Sequence, residues 1–200
     1  AFVGPTSFGG GTLMSTGPAA FLARFHSDGS YFASHVVTTD ATFPTQVVVD
    51  ASGHAIVQTI ATSPGPCGLF AIDGSDNDLW SASIADNAGI SPQTRTLAAT
   101  PSGSVLSSAW DDYTSSHMEV VAFDPTGHPG TSEFGDRVAG QGFNTQAHAT
   151  ATSSSGATAF VGDYTGTIQL AGSALTSQML VGSDVDPDPV TDAFVVVVDP

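Results

Sequence analysis

The 200-residue sequence contains no lysine and only three arginines, Arg24, Arg95 and Arg137, against 19 acidic residues, for a formal net charge of −16. Such an excess of negative charge repels phosphate backbones and anionic lipid. Nucleic acid and acidic membranes are therefore poor partners, whereas cations, Ca²⁺ among them, are attracted. There is one cysteine, Cys67, which is too few for an internal disulfide or a cysteine-rich zinc site. Its setting, Gly65-Pro66-Cys67-Gly68-Leu69-Phe70, places it at the start of a strand with no neighbouring charge to activate the thiol. Long apolar runs are missing as well. The longest, Ala193 to Val198, is far shorter than the roughly 20 residues of a membrane-spanning helix, so no membrane insertion is expected of this segment. No window carries apolar residues at helical spacing with helix formers between them. Charged residues amount to 11%, well under the usual quarter. Ser, Thr, Gly and Ala stand in their place, a surface suited to short strands and tight turns. The 40% of hydrophobic residues is enough to bury a core, which sets the chain apart from disordered sequences.

Repetition is abundant. Val47-Val48-Val49-Asp50-Ala51-Ser52-Gly53-His54-Ala55-Ile56-Val57 reads as strand, tight turn, strand. The same phrase returns around Pro101-Ser102-Gly103 and Ser154-Ser155-Gly156, with the turn glycines 50 and then 53 positions apart. Asp50 reads as a turn-former, because Thr100 and Ser153 occupy its place in the other copies. The period divides the chain into units of about 1–53, 54–103, 104–156 and 157–200, the last reading as a half unit. The phrase is expected to mark the boundary between successive units. About fourteen short strands and no helix are expected, in an all-β fold. Four-stranded units at this period predict a β-propeller, with about three and a half blades in this chain and apolar faces buried by stacking neighbours round an axis. A β-sandwich is the alternative, but it does not require the repetition. The chain opens as if in mid-strand at Ala1-Phe2-Val3 and stops in a turn at Asp199-Pro200, which predicts a slice of a longer polypeptide.

Two phrases point to a family. Asp192-Ala193-Phe194-Val195-Val196-Val197-Val198-Asp199-Pro200 and Val120-Val121-Ala122-Phe123-Asp124-Pro125-Thr126-Gly127 resemble the D-A-F-V-x-x-x-D-P-x-G phrase of bacterial seven-bladed β-propeller repeats. Trp80, the Val48-to-Gly53 turn and Phe160-Val161-Gly162-Asp163-Tyr164-Thr165-Gly166-Thr167 resemble the phrases that follow it in those repeats. The likeness covers nearly the whole chain. It is loosest in the middle, where Gly74-Ser75-Asp76 replaces the Pro-x-Gly turn. The resemblance implies a propeller that is secreted or attached to a bacterial cell surface, and it carries no shared catalytic residues.

Two acidic stretches have the residue types of a calcium loop. Asp184, Asp186 and Asp188 alternate with Val185 and Pro187 in a loop eleven residues longer than its counterpart before Phe21. Prolines stiffen that loop and hold its carboxylate oxygens apart for a hard cation. Asp73, Asp76 and Asp78 crowd a second stretch with Asn77, but the glycine and distal Glu of an EF-hand are missing, and the stretch also reads as a turn between strands. The six histidines form no metal-binding pattern; His54 and His128 each follow a turn glycine, where a solvent-facing residue is expected. No nucleophile elbow, phosphate loop or complete dinucleotide fingerprint occurs. Phe21, Phe25, Phe32, Trp80, Phe123 and Phe194 fall on equivalent strands and read as core between blades.

These residues predict a non-enzymatic extracellular module for binding or display, with loops carrying contacts to a protein or glycan ligand. No catalytic or cofactor-binding residue is assigned, and Ca²⁺ is the one ion the residues suggest. Two alternatives remain open at this point. One is a propeller hydrolase or lyase with a site assembled from loops; the other is a calcium-stabilised structural protein.

Overall fold

The structure, a computed structural model, describes residues 1–39, 42–61, 67–84, 93–110, 118–135, 145–170, 173–176 and 191–198. It is all-β: several small antiparallel sheets, with no helix among the described residues. The chain divides into two compact units, Ala1–Ser91 and Pro92–Pro200.

In the first unit β1 (Ala20–Phe25) pairs with β2 (Tyr31–Thr38), and β3 (Thr42–Val49), β4 (Ala55–Ala61), β5 (Cys67–Ile72) and β6 (Asp78–Ile84) form a sheet in sequential order. The strand expected at Ala1-Phe2-Val3 is reduced to isolated bridges, Phe2 to Ala19 and Thr6 to Leu13. The glycine run beside them lets the Tyr31 ring approach the chain, since a side chain on Gly10 would collide with it. In the second unit β7 (Gln93–Ala99), β8 (Val105–Trp110), β9 (Met118–Phe123) and β10 (Pro129–Gly135) repeat the sequential four-stranded sheet. A three-stranded sheet follows, β11 (Thr145–Thr152), β12 (Thr158–Thr165) and β15 (Thr191–Val198). The short hairpin β13 (Thr167–Leu170) and β14 (Ser173–Thr176) lies between β12 and β15 in the chain.

Six of the connections are the same turn. In each, the first residue's N–H donates to the fifth residue's carbonyl, and the fourth residue's N–H donates to the first residue's carbonyl, at 2.8–3.2 Å. The turns start at His26, Asp50, Asp73, Thr100, Asp124 and Ser153. This is the three-residue hairpin loop whose last residue takes the left-handed backbone region. Glycine fills that position five times, with φ between 82° and 98°; the exception is Asp76, at φ 63°.

The turns also fix where the sheets begin. Val47 pairs with Val57 and Val49 with Ala55, so the Asp50 turn joins β3 to β4 inside one sheet. The Thr100 and Ser153 turns likewise join the first two strands of their sheets. The sheets are thus offset from the units 1–53, 54–103, 104–156 and 157–200, and the repeated phrase does not mark a boundary between sheets. A period gives the length of a repeat but not its starting point; hydrogen-bond register supplies the latter.

Among the described residues, a sheet-on-sheet contact holds a core within each unit. Counting from the turns makes β1, β5, β9 and β15 equivalent, and likewise β4, β8 and β12. Call face A the one bearing Leu22, Leu69, Val120 and Val195 in the first set, and face B its reverse. In the first unit Ala20, Leu22 and Val37, on face A of β1-β2, pack against Val57, Phe70 and Ile72, on face B of β3–β6. In the second unit Ala98, Leu106 and Val120, on face A of β7–β10, pack with Phe160, Tyr164 and Phe194, on face B of the three-stranded sheet. The aromatic expectation holds in part. Phe123 and Phe194 are buried, and Phe21 and Trp80 are half-buried, Phe21 against Phe2 and Phe8. Phe25 and Phe32 are instead about half exposed, at 53% and 50%. They sit on the strand ends beside the His26 turn, where Phe25 meets Tyr31 and Phe32 meets His26 edge-on.

Candidate functional site

The stretch Asp73–Asp78 is the turn between β5 and β6. Its three carboxylates face three different partners. Asp73 Oδ1 accepts the backbone N–H groups of Ser75 (2.7 Å) and Asn77 (2.9 Å), and Oδ2 accepts the Asn77 side-chain amide (2.9 Å). The Asn77 side chain, then the backbone donors, hold the Asp73 carboxyl below its usual range. Asp76 Oδ1 lies 3.6 Å from Arg24 Nε, is buried and accepts no hydrogen bond among the described residues. Arg24 also donates from Nη2 to the Ile72 carbonyl at 3.3 Å. Asp78 Oδ1 lies 2.9 Å from His35 Nε2 on β2. The three oxygens therefore do not converge on one point, and among the described residues no three His, Cys, Asp or Glu side chains are grouped to hold a metal. Asp184, Asp186 and Asp188 lie outside the described residues.

The turn chemistry recurs elsewhere. Asp50 accepts the N–H groups of Ser52 (2.8 Å) and His54 (2.9 Å), as a turn-former should, and its second oxygen lies 2.9 Å from His54 Nδ1. Asp124 accepts from Thr126 and His128 in the same way, and the Thr126 hydroxyl is 2.8 Å from His128 Nδ1. The Thr126 hydroxyl is the main cause that depresses the Asp124 carboxyl, and the Ser30 hydroxyl does the same for Asp28. His54 and His128 thus bond back into their turns rather than merely facing solvent. His148 on β11 pairs with Asp163 on β12 at 2.7 Å. Each of these His–acid pairs is a local clasp, spent on positioning backbone.

The first unit also holds a cavity of about 340 Å³ between residues 21–23 of β1 and residues 44–47 of β3, lined in addition by Val57. It lies beside an edge strand, for among the described residues β3 pairs with β4 alone. The register shift between Pro44 and Gln46 interrupts that strand at the cavity. The walls are aliphatic and aromatic, with Thr45 and Gln46 the polar exceptions and no titratable group among them. Gln46 Oε1 is buried and accepts no hydrogen bond among the described residues. Gln46 pairs with Gln58, on the sheet face opposite Val57, so its enclosed oxygen is not part of the wall, and the cavity is an apolar recess.

No protein-family model matches the chain, and no curated protein matches it with significance. Among the described residues no helix is long and apolar enough to cross a membrane. Sequence reasoning missed Arg24, Asp76 as a left-handed residue, and Gln46. The first two left a trace: Arg24 is one of three basic side chains among 19 acids, and Gly74-Ser75-Asp76 breaks the turn pattern. Gln46 left none, because the enclosure of its amide oxygen comes from the folded sheet, where it lies opposite Gln58, and not from its neighbours in sequence.

Proposed function

We propose that this chain is a β-propeller repeat module, related to the bacterial seven-bladed propeller repeats it resembles, that binds a ligand outside the cell without turning it over. Its sheets are the blades, and its loops and edge strands carry the contacts. The cavity beside β3 is the observation that carries the reading. It offers a recess whose lining is apolar apart from Thr45 and Gln46 and holds no titratable side chain. A glycan or an uncharged peptide side chain is the chemistry such a wall recognises. The acidic surface, with its net charge of −16, suits a neutral or cationic ligand at an exterior surface. Titration calorimetry against neutral oligosaccharides and short uncharged peptides should find a ligand whose binding is abolished by Val47→Asp, at an exposed position of the cavity wall. Turnover of such compounds, with binding indifferent to Val47→Asp, would replace this reading by the enzyme one. Calcium at Asp184, Asp186 and Asp188 is a separate proposal that rests on the acidic loop alone. It requires a melting midpoint that rises with Ca²⁺ and falls with chelator.

A further inference from the structure

Face A is covered in the sheets whose neighbours are described within their own unit, but not on the three-stranded sheet β11-β12-β15. Leu106 and Val120 of β7–β10 are buried against face B of that sheet. Their equivalents one sheet on are Ala159 and Val195, and Val195 is 67% exposed. Val197, equivalent to Ala122, is 59% exposed, and Val161 beside them is exposed too. Register confirms one continuous surface, since Ala159 pairs with Val197 and Val161 with Val195. On β4 and β8 the two central residues are buried whichever face they point to, Ile56 and Val57 in one and Leu106 and Ser107 in the other. On β12 only Phe160 of the corresponding pair is fully buried.

The complementary surface is present in the same sequence. The β1-β2 sheet has its face A seated on β3–β6. Its face B carries Phe21, capped by Phe2 and Phe8, and Phe25, which is 53% exposed. This aromatic surface is built from the phrase Ala1-Phe2-Val3-Gly4. That phrase recurs as Ala159-Phe160-Val161-Gly162, whose Phe160 is buried in the contact with face A of β7–β10. The chain thus shows the same A-on-B contact twice, once in each unit, while face A of β11-β12-β15 and face B of β1-β2 keep exposed apolar side chains.

We propose that the valine face of β11-β12-β15 is an interface for a second copy of this chain, which seats the aromatic face of its β1-β2 sheet there, head to tail. An A-on-B contact uses different surfaces on its two sides, so the association is heterologous and either closes into a ring or extends. Like charge opposes it: two copies at −16 each repel, and salt screens that repulsion.

Sedimentation of the full chain over a concentration series, at low and high salt, tests this. The expected result is reversible self-association that tightens with salt. Val197→Asp and Phe25→Asp should each weaken it about tenfold or more, because each buries a charge in an apolar contact. Both positions are exposed, and an unchanged melting midpoint of the monomer checks the fold. Val195→Thr, a milder change, should weaken association several-fold. The decisive arm mixes the two aspartate variants. Val197→Asp retains a good B face and Phe25→Asp a good A face, so the mixture should form one heterodimer and nothing larger. A wild-type chain that stays monomeric at high salt overturns the proposal, as would a Phe25→Asp variant that associates like wild type. A mixture that remains monomeric overturns it too.

Discussion

The two sheet-on-sheet contacts use the same faces and different chemistry. In the second unit the contact is sealed by volume: Phe160, Tyr164 and Phe194 pack with Ala98, Leu106 and Val120, and none of these side chains is charged. In the first unit the corresponding cluster is smaller, with Val57 in the place of Phe160. Charge makes up the difference. Arg24 reaches the Ile72 carbonyl and Asp76, and His35 reaches Asp78, so β1-β2 is clasped to the turn that joins β5 and β6. A repeat therefore fixes which faces meet but leaves open what holds them. Apolar volume is non-directional and tolerates sliding, whereas an ion pair fixes the register of the sheets it joins.

The sharpest way to break the comparison is at its aromatic side. Phe160 is fully buried, and Phe160→Ala should cost about 3–5 kcal/mol, seen as a large fall in the denaturation midpoint. Because the loss is one of packing and transfer, it should be the same at low and high salt. A loss that shrinks markedly with salt would mean that the aromatic contact carries hidden electrostatics and that the contrast is false.

How much of this contrast was legible in the sequence depends on whether the cause is local. The strands and turns were legible because β-branched runs and Asp-x-Ser-Gly phrases act over a few residues, and Asp50 bonds within its own turn. The phase of the sheets was not legible, since only pairing across the turn reveals that Val49 meets Ala55. The carboxylates of Asp73, Asp76 and Asp78 look alike in sequence, as alternating oxygens. They part company only when β1 and β2 bring up Arg24 and His35, some forty to fifty positions away. Gln46 is the extreme case: nothing near it in sequence says that its amide oxygen is enclosed.

The polar side of the comparison can be sharpened through Asp76. An L-residue in the left-handed region costs about 1 kcal/mol relative to glycine, less for Asp than for most. The five equivalent turns avoid that cost with glycine. Asp76 therefore has to be held by its partner. Arg24→Ala leaves a mostly buried carboxylate without its cation and should destabilise by about 1–3 kcal/mol. Asp76→Gly alone should be nearly neutral, because relief of backbone strain offsets the loss of the pair. In the Arg24→Ala background the same change should stabilise by about 1 kcal/mol. Urea denaturation of the four proteins measures the coupling directly. Strict additivity of the two substitutions would show that the pair contributes nothing and that Asp76 is tolerated for another reason.

The smallest effect separates this clasp from the hydrogen bonds made inside single turns. Asp28, Asp73 and Asp124 are held below their ordinary pKa by hydrogen bonds from Ser30, Asn77 and Thr126 respectively. A carboxyl whose folded pKa lies below its unfolded value stabilises the fold when ionised in both states. That stability is fully present above the unfolded value, near pH 4, and is lost as pH falls through the folded one. All three groups are exposed, so the contribution of each is small. Asp73→Asn with Asp124→Asn keeps an acceptor for the turn N–H groups but removes the titration. The double variant should match wild type closely at neutral pH, and its stability should fall less steeply as the solution is acidified below about pH 4. Chemical denaturation across the acid range reads both curves. Parallel curves would mean that these turns are held by backbone alone.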